Sequence, residues 1–159
     1  MAIYTHGVPS YTPIAHADSA SALADNSYQA ITGAAAASLN RIMDLYVGGQ
    51  SGATNSNQMA IRRASTKRNT PTNVTSAANN YLSAVGVATC GVAATTGPTI
   101  AATKHLFDIS LNTFGGVVRL GLQGEELYFG TTTDPNAEVV FDSVVGTGLV
   151  GQAVKWEEM

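Results

Sequence analysis

Apolar and polar residues alternate along much of the chain with a period of two, the signature of strands with one buried face. Arg41-Ile42-Met43-Asp44-Leu45-Tyr46-Val47 places Met43, Leu45 and Val47 on one side and ends at Gly48-Gly49. Gln58-Met59-Ala60-Ile61-Arg62-Arg63-Ala64 follows a polar loop, so the two segments read as a hairpin with a long connection. Further on, Phe107, Ile109 and Leu111 share a face, as do Val118, Leu120 and Leu122. Gln123-Gly124 then predicts a tight turn that returns the chain through Glu125-Glu126-Leu127-Tyr128-Phe129-Gly130. Asp134-Pro135-Asn136 predicts another turn, before Glu138-Val139-Val140-Phe141-Asp142 and a last strand over 149–156. Ser27-Tyr28-Gln29-Ala30-Ile31-Thr32 is the first strand of the set. Residues 81–104 carry little bulk and are read as extended.

About eight short strands separated by turns, with no amphipathic helix among them, predict an all-β fold. The expected architecture is an antiparallel β-sandwich, jelly-roll-like, over residues 27–159. Residues 1–26 show neither period. With Gly7, Pro9 and Pro13 they read as an extended N-terminal arm, apart from a short helical turn near 17–25. On this reading, removal of 1–26 leaves a folded domain that assembles less well.

Composition sharpens the picture. Only 12% of residues are charged, about half of the roughly 25% usual in soluble domains. A surface of small neutral groups desolvates cheaply and suits close contact with neighbours. The net charge of −3 argues against direct nucleic-acid binding, which needs a basic field. No apolar run approaches the roughly 18 residues of a spanning helix, so no membrane partner is expected. The opening residues lack a basic region followed by an apolar core, so no secretion signal is expected, and synthesis in a cytoplasm is.

No catalytic constellation emerges, and no enzyme is expected. His6, His16 and His105 lie far apart and lack metal-ligand spacing, and no cofactor motif occurs, so metal and cofactor sites are expected to be absent. Glu125-Glu126 and Glu157-Glu158 are adjacent on strands and point to opposite faces. Asp108 and Asp142 are expected on the solvent face, or in a cross-strand pair with Arg119. Asn73-Val74-Thr75 matches a glycosylation acceptor, a chance match where no secretion is expected. Cys90, the single cysteine, lies in an apolar run and reads as an inert buried thiol. The notable charge feature is Arg62, Arg63, Lys67 and Arg68, half of the eight Lys and Arg residues. It reads either as a basic patch that docks on an acidic partner or as a solvated hairpin end. With Tyr4 and Tyr11 of the arm, these are the candidate protein-interaction residues.

The run Asn40-Arg41-Ile42-Met43-Asp44-Leu45-Tyr46-Val47-Gly48-Gly49-Gln50, a Ser/Thr/Asn-rich loop, and then Asn57-Gln58-Met59-Ala60-Ile61-Arg62-Arg63-Ala64-Ser65-Thr66 resembles small structural proteins of tailed bacteriophages. An Ala/Thr/Pro-rich middle and the turn Gln123-Gly124-Glu125-Glu126-Leu127 continue the resemblance, which spans roughly 28–156 in style. It implies a head decoration or cement protein on the outer capsid surface, contacting the major capsid protein and itself as a homo-oligomer, a trimer by the family pattern. A tail or head-fibre component that binds host glycans, and a small-ligand-binding β-barrel, are the alternatives.

Overall fold

The computed structural model describes residues 1–16, 21–33, 39–72, 76–80, 82–84, 86–122, 124, 127–130, 134 and 137–159, excluding the side chains of 101–104. It is an all-β sandwich. One sheet (sheet A) contains β1 (Ala2–Tyr11), β3 (Asn40–Gly49), β6 (Ala77–Ala78), β10 (Val117–Gly121), β11 (Leu127–Phe129) and β13 (Val150–Glu158). The other (sheet B) contains β2 (Gln29–Thr32), β4 (Ser56–Thr66), β7 (Thr89–Gly91), β9 (Thr99–Asn112) and β12 (Val139–Val145). A two-stranded ribbon, β5 (Asn69–Pro71) with β8 (Ala94–Thr96), stands beside them.

Strand order identifies the topology. Sheet A runs β10-β3-β13-β1-β6 and sheet B runs β7-β2-β12-β4-β9. With the short strands set aside, the eight long ones interleave between the sheets as two Greek keys, which is the jelly roll. All the strand pairs are antiparallel. Between the sheets, Trp156 stacks on Tyr4 with ring centres 6.0 Å apart and meets Phe129 edge-on at 6.4 Å. Ile31, Leu45, Met59, Ile61, Val139, Phe141 and Val154 complete the centre of this core.

Three expectations need correction. Residues 2–11 are no separate arm: β1 pairs with β13 from Ala2↔Glu158 to Tyr11↔Val150, and Tyr4, Val8 and Tyr11 enter the core. Pro9 is accommodated because the register shifts between Val8 and Tyr11, and a bulge needs no ladder N–H from it. Farther along, Leu23 and Tyr28 join Ala30, Ala64, Ile100 and Val140 in a second small core. Val140 alternates with Val139 and Phe141 of the main core, so this cluster lies on the side of sheet B away from sheet A. The sequence's "arm" therefore supplies a strand to one sheet and a cover to the other.

The second correction concerns β3 and β4. They belong to opposite sheets and do not pair, because 50–55 carries the chain across the sandwich rather than around a hairpin. Third, β10 and β11 do not form a hairpin. Both run antiparallel to β3, Val117↔Gly48 through Gly121↔Asp44 and then Leu127↔Ile42 through Phe129↔Asn40. The chain continues in one direction past Gly124, whose φ of 89° is a glycine conformation. Gln123, Glu125 and Glu126 of the expected turn lie outside the described residues, as do 17–20 of the expected helical turn, Asn73-Val74-Thr75, and Pro135-Asn136. Within 81–104, strand is found at β7, β8 and the start of β9. Met43 is displaced from the expected inward row by an irregularity between Lys155 and Trp156 of β13, which brings Ile42 inward instead.

Candidate interaction surface and the buried ion pairs

The basic residues of 62–68 do not form a docking patch. Arg62 on β4 is fully buried. Its Nε donates to Asp142 Oδ1 at 3.0 Å, and one Nη donates to Asp142 Oδ2 at 2.8 Å and to the His16 carbonyl at 2.8 Å. This is a two-pronged pair between β4 and β12, closed over by the chain at Ala15 and His16, so Asp142 is neither solvated nor paired with Arg119. Burial and the nearby Arg62 charge both hold the His16 pKa below its usual value.

Arg68 is likewise internal. Its two terminal nitrogens donate to the carbonyls of Gly91 (2.9 Å) and Thr89 (2.7 Å), and its Nε lies 3.3 Å from Glu138 Oε2. Glu138 also accepts from the Arg68 backbone N–H at 3.0 Å and from the Thr32 hydroxyl. These bonds tie the chain leaving β4 to β2, β7 and β12. A cleft of about 130 Å³ opens over the group, walled also by Lys67, Asn69, Thr70 and Pro71. Thr70 adopts a φ of 43°, uncommon for a β-branched residue. Tyr4 and Tyr11 are core residues, Tyr11 donating to Gln152 Oε1 at 2.7 Å. Of the six residues expected to meet a partner, only Arg63 and Lys67 reach solvent, and each is half-buried. The physical reason is common to the other four: each side chain is engaged by partners or packing inside its own domain.

Burial raises the Glu138 pKa, against the opposing effects of Arg68, the Thr32 and backbone hydrogen bonds, and Lys67. A carboxyl with a raised folded-state pKa binds its proton more tightly when folded. Stability therefore falls as pH rises from the ordinary glutamate value of about 4.3 through the raised one. Glu138→Gln fixes the neutral form. The substitution also takes the counter-charge from buried Arg68, so the change with pH is the test: its melting temperature relative to wild type is expected to rise as pH climbs through the raised value and to level off above it. Parallel curves for the two proteins contradict this assignment.

Cys90 is buried, receives a hydrogen bond from Gln29 Nε2 at 3.3 Å, and has its pKa pushed up to about 11 by burial. Among the described residues, no three His, Cys, Asp or Glu residues converge as a metal site would require, and no helix is long and apolar enough to cross a membrane.

What remains open is the outer face of sheet A, which sequence inspection did not single out. Register places Gly7 beside Ala153, Ala153 beside Tyr46, and Tyr46 beside Arg119. In the next row Gly151 stands beside Gly48, and Gly48 beside Val117. Alternation along β13 points Gly151, Ala153 and Lys155 outward while Val150, Gln152 and Val154 point in. Small residues on the central strands thus leave a shallow, open furrow of about 450 Å³ across the sheet. Val117 forms one wall and is 77% exposed. At the furrow's end Arg119 reaches Asp44 at 3.2 Å and lies over the Tyr46 ring, 5.2 Å from its centre. The signal in the sequence was the run of glycine and alanine at alternate positions on neighbouring strands, visible only once their register is known.

The fold and this surface define a jelly-roll β-sandwich in which, among the described residues, Leu23 and Tyr28 pack on the outer face of sheet B while the furrow on the outer face of sheet A stands open. No protein-family model matches the chain, and neither a curated protein nor a solved structure matches it.

Proposed function

We propose that this chain is a non-enzymatic structural protein of a virus particle, a decoration or cement protein that packs on the outer head surface against the major capsid protein and its own copies. The observation that carries the reading is the furrowed outer face of sheet A. The furrow is lined by no charged residue, is floored by Gly7, Gly48, Gly151 and Ala153, and is edged by exposed Val117. Such a face lies flush against a neighbour at little desolvation cost. The low charge of the whole chain, the jelly-roll topology and the resemblance of residues 40–66 to phage structural proteins support the same reading. A small bridging unit strengthens a shell because several weak contacts are linked. The trimeric state comes from the resemblance alone.

A glycan-binding fibre component needs a bare aromatic platform. Tyr46, the aromatic residue lining the furrow, has the Arg119 guanidinium over its ring, and the other exposed aromatics, Phe114 and Tyr128, do not line the furrow with it. The decoration reading is therefore preferred.

Gly48 offers a clean test. A Cβ built there meets nothing within 4 Å, and a β-branched residue suits a strand better than glycine. Gly48→Val is expected to melt at or above the wild-type temperature while blocking the furrow. Co-sedimentation of each protein with phage heads that lack it measures docking. Wild type is expected to bind saturably and Gly48→Val to bind poorly; absence of wild-type binding contradicts the role, and equal binding contradicts the furrow as the docking face.

A further inference from the structure

We infer that the chain pairs with a second copy of itself through the outer edge of β9, around a twofold axis at Ser110. Three of the four sheet edges are short or blunted. Sheet A ends on one side at β10 and β11, of five and three residues, and sheet B on one side at β7, of three. On the other side of sheet A the two-residue β6 pairs only Tyr4 and Thr5 of β1, and Pro9 with the irregularity between Val8 and Tyr11 blunts the stretch beyond. The other side of sheet B ends at β9, of fourteen residues, and among the described strands none pairs with its outer side. Natural sheets blunt long edges with bulges, charge or proline. The first half of β9 has such a device, three register irregularities against Ile61–Thr66. The second half has none: Phe107↔Ile61 through Asn112↔Ser56 is unbroken, and Asp108 is its one charged residue.

Hydrogen bonding fixes which groups face outward. The Thr113 N–H donates to the Asn55 carbonyl at 2.9 Å, continuing the β4–β9 ladder. In an antiparallel ladder alternate residues turn both backbone groups to the same side. Asp108 and Ser110 therefore present N–H and C=O to the open edge, and their exposed side chains lie on the outer face.

The side chains select the partner and the register. A twofold at Ser110 sets each Asp108 opposite Asn112 of the other copy. The Asn112 Oδ1 already accepts from the Phe114 N–H at 2.9 Å, so its amide nitrogen is the donor left for the incoming carboxylate, whose Oδ1 lies 3.3 Å from His105 Nδ1 of its own chain. On the core side the same register sets Ile109 against Leu111 of the other copy. A twofold at Asp108 would oppose two carboxylates and is disfavoured. The pairing is isologous and closed, and it joins two copies of sheet B into one continuous sheet.

The inference rests on the self-association in the proposed role, but neither on the virus particle nor on the trimer that the resemblance implies, because a twofold pair closes at two copies. Cys90 is buried, so Ser110→Cys introduces an accessible thiol into an otherwise unreactive chain. Directly opposed residues of a ladder stand about 5.5 Å apart at Cα, within disulfide reach. Under mild oxidation Ser110→Cys is expected to form a covalent dimer roughly a hundredfold faster than Thr66→Cys, exposed on the irregular half of β9's partner strand, through the raised effective concentration of paired groups. Ser110→Pro removes an N–H that β4 does not use, so it is expected to fold and to sediment as a monomer where wild type is expected to sediment as a dimer. Equal cross-linking of the two cysteine variants overturns the edge pairing, as does a folded Ser110→Pro that remains dimeric. If Ser110→Pro does not fold, the cysteine comparison decides alone. Heads that bind a strictly monomeric protein would overturn edge pairing while leaving the decoration role intact.

Discussion

Deletion of residues 1–26 is expected to unfold the domain, rather than to release a spare arm from an intact one. The deletion removes Tyr4, Val8 and Tyr11 from the main core and Leu23 from the second one. Large buried side chains contribute roughly 1.5–3 kcal/mol each, and four of them approach the about 5–15 kcal/mol that holds a typical domain folded. The loss does not stop there. β13 would lose β1, one of its two ladder partners, and become an edge strand beside β3, Trp156 would lose the ring stacked on it, and the Arg62–Asp142 pair would be opened to water beside a vanished His16 carbonyl. Circular dichroism and amide spectra of the truncated chain are expected to show a disordered or molten state. A cooperative melt near the wild-type temperature would restore the arm to an accessory role.

The second large effect concerns the buried pair itself. Asp142→Ala leaves the Arg62 guanidinium enclosed without its counter-charge, with both side chains of the pair fully inaccessible in the wild type. Removing one partner of such a pair costs about 3–5 kcal/mol, enough to lower the denaturation midpoint steeply. Replacing both, Arg62→Met with Asp142→Leu, removes the charge and its desolvation together and is expected to recover most of that loss. Asp44→Ala provides the control. Its partner Arg119 has a side chain 61% exposed, water already screens the pair, and the variant is expected to melt with wild type. Urea titration of the four proteins measures the comparison. An Asp142→Ala protein as stable as Asp44→Ala would contradict the assignment of Arg62 as a dry, paired cation.

Periodicity exposed the strands whose two faces differ. β9 and β13 alternate cleanly because one side meets the core and the other water, and both were legible as strands. β1 was not, although Tyr4 and Val8 share a face, because Pro9 and Gly7 interrupt a pattern that a bulge then repairs. Pairing was less legible than existence. An apolar stripe says that a strand has a buried face but not which of two sheets it joins, so β3 and β4 read as neighbours when the loop between them spans the sandwich. The buried cations were hidden for a different reason. Arg62 and Arg68 lie within a basic run that resembles solvated surface, and their partners Asp142 and Glu138 are 80 and 70 positions away. A lone aspartate beside Val139-Val140-Phe141, and Arg62 flanked at alternate positions by Ala60 and Ala64, were the available signs of a charge pair under a covering layer. The furrow and the β9 edge depend on register, which sequence alone does not supply.

Quantitative mass spectrometry of purified, nuclease-treated virus particles from cells expressing this chain tests the structural role most directly. The expected result is the intact chain at a fixed ratio to the major capsid protein, retained through density-gradient purification. Its recovery only in the soluble lysate, with particles free of it, would contradict the assignment.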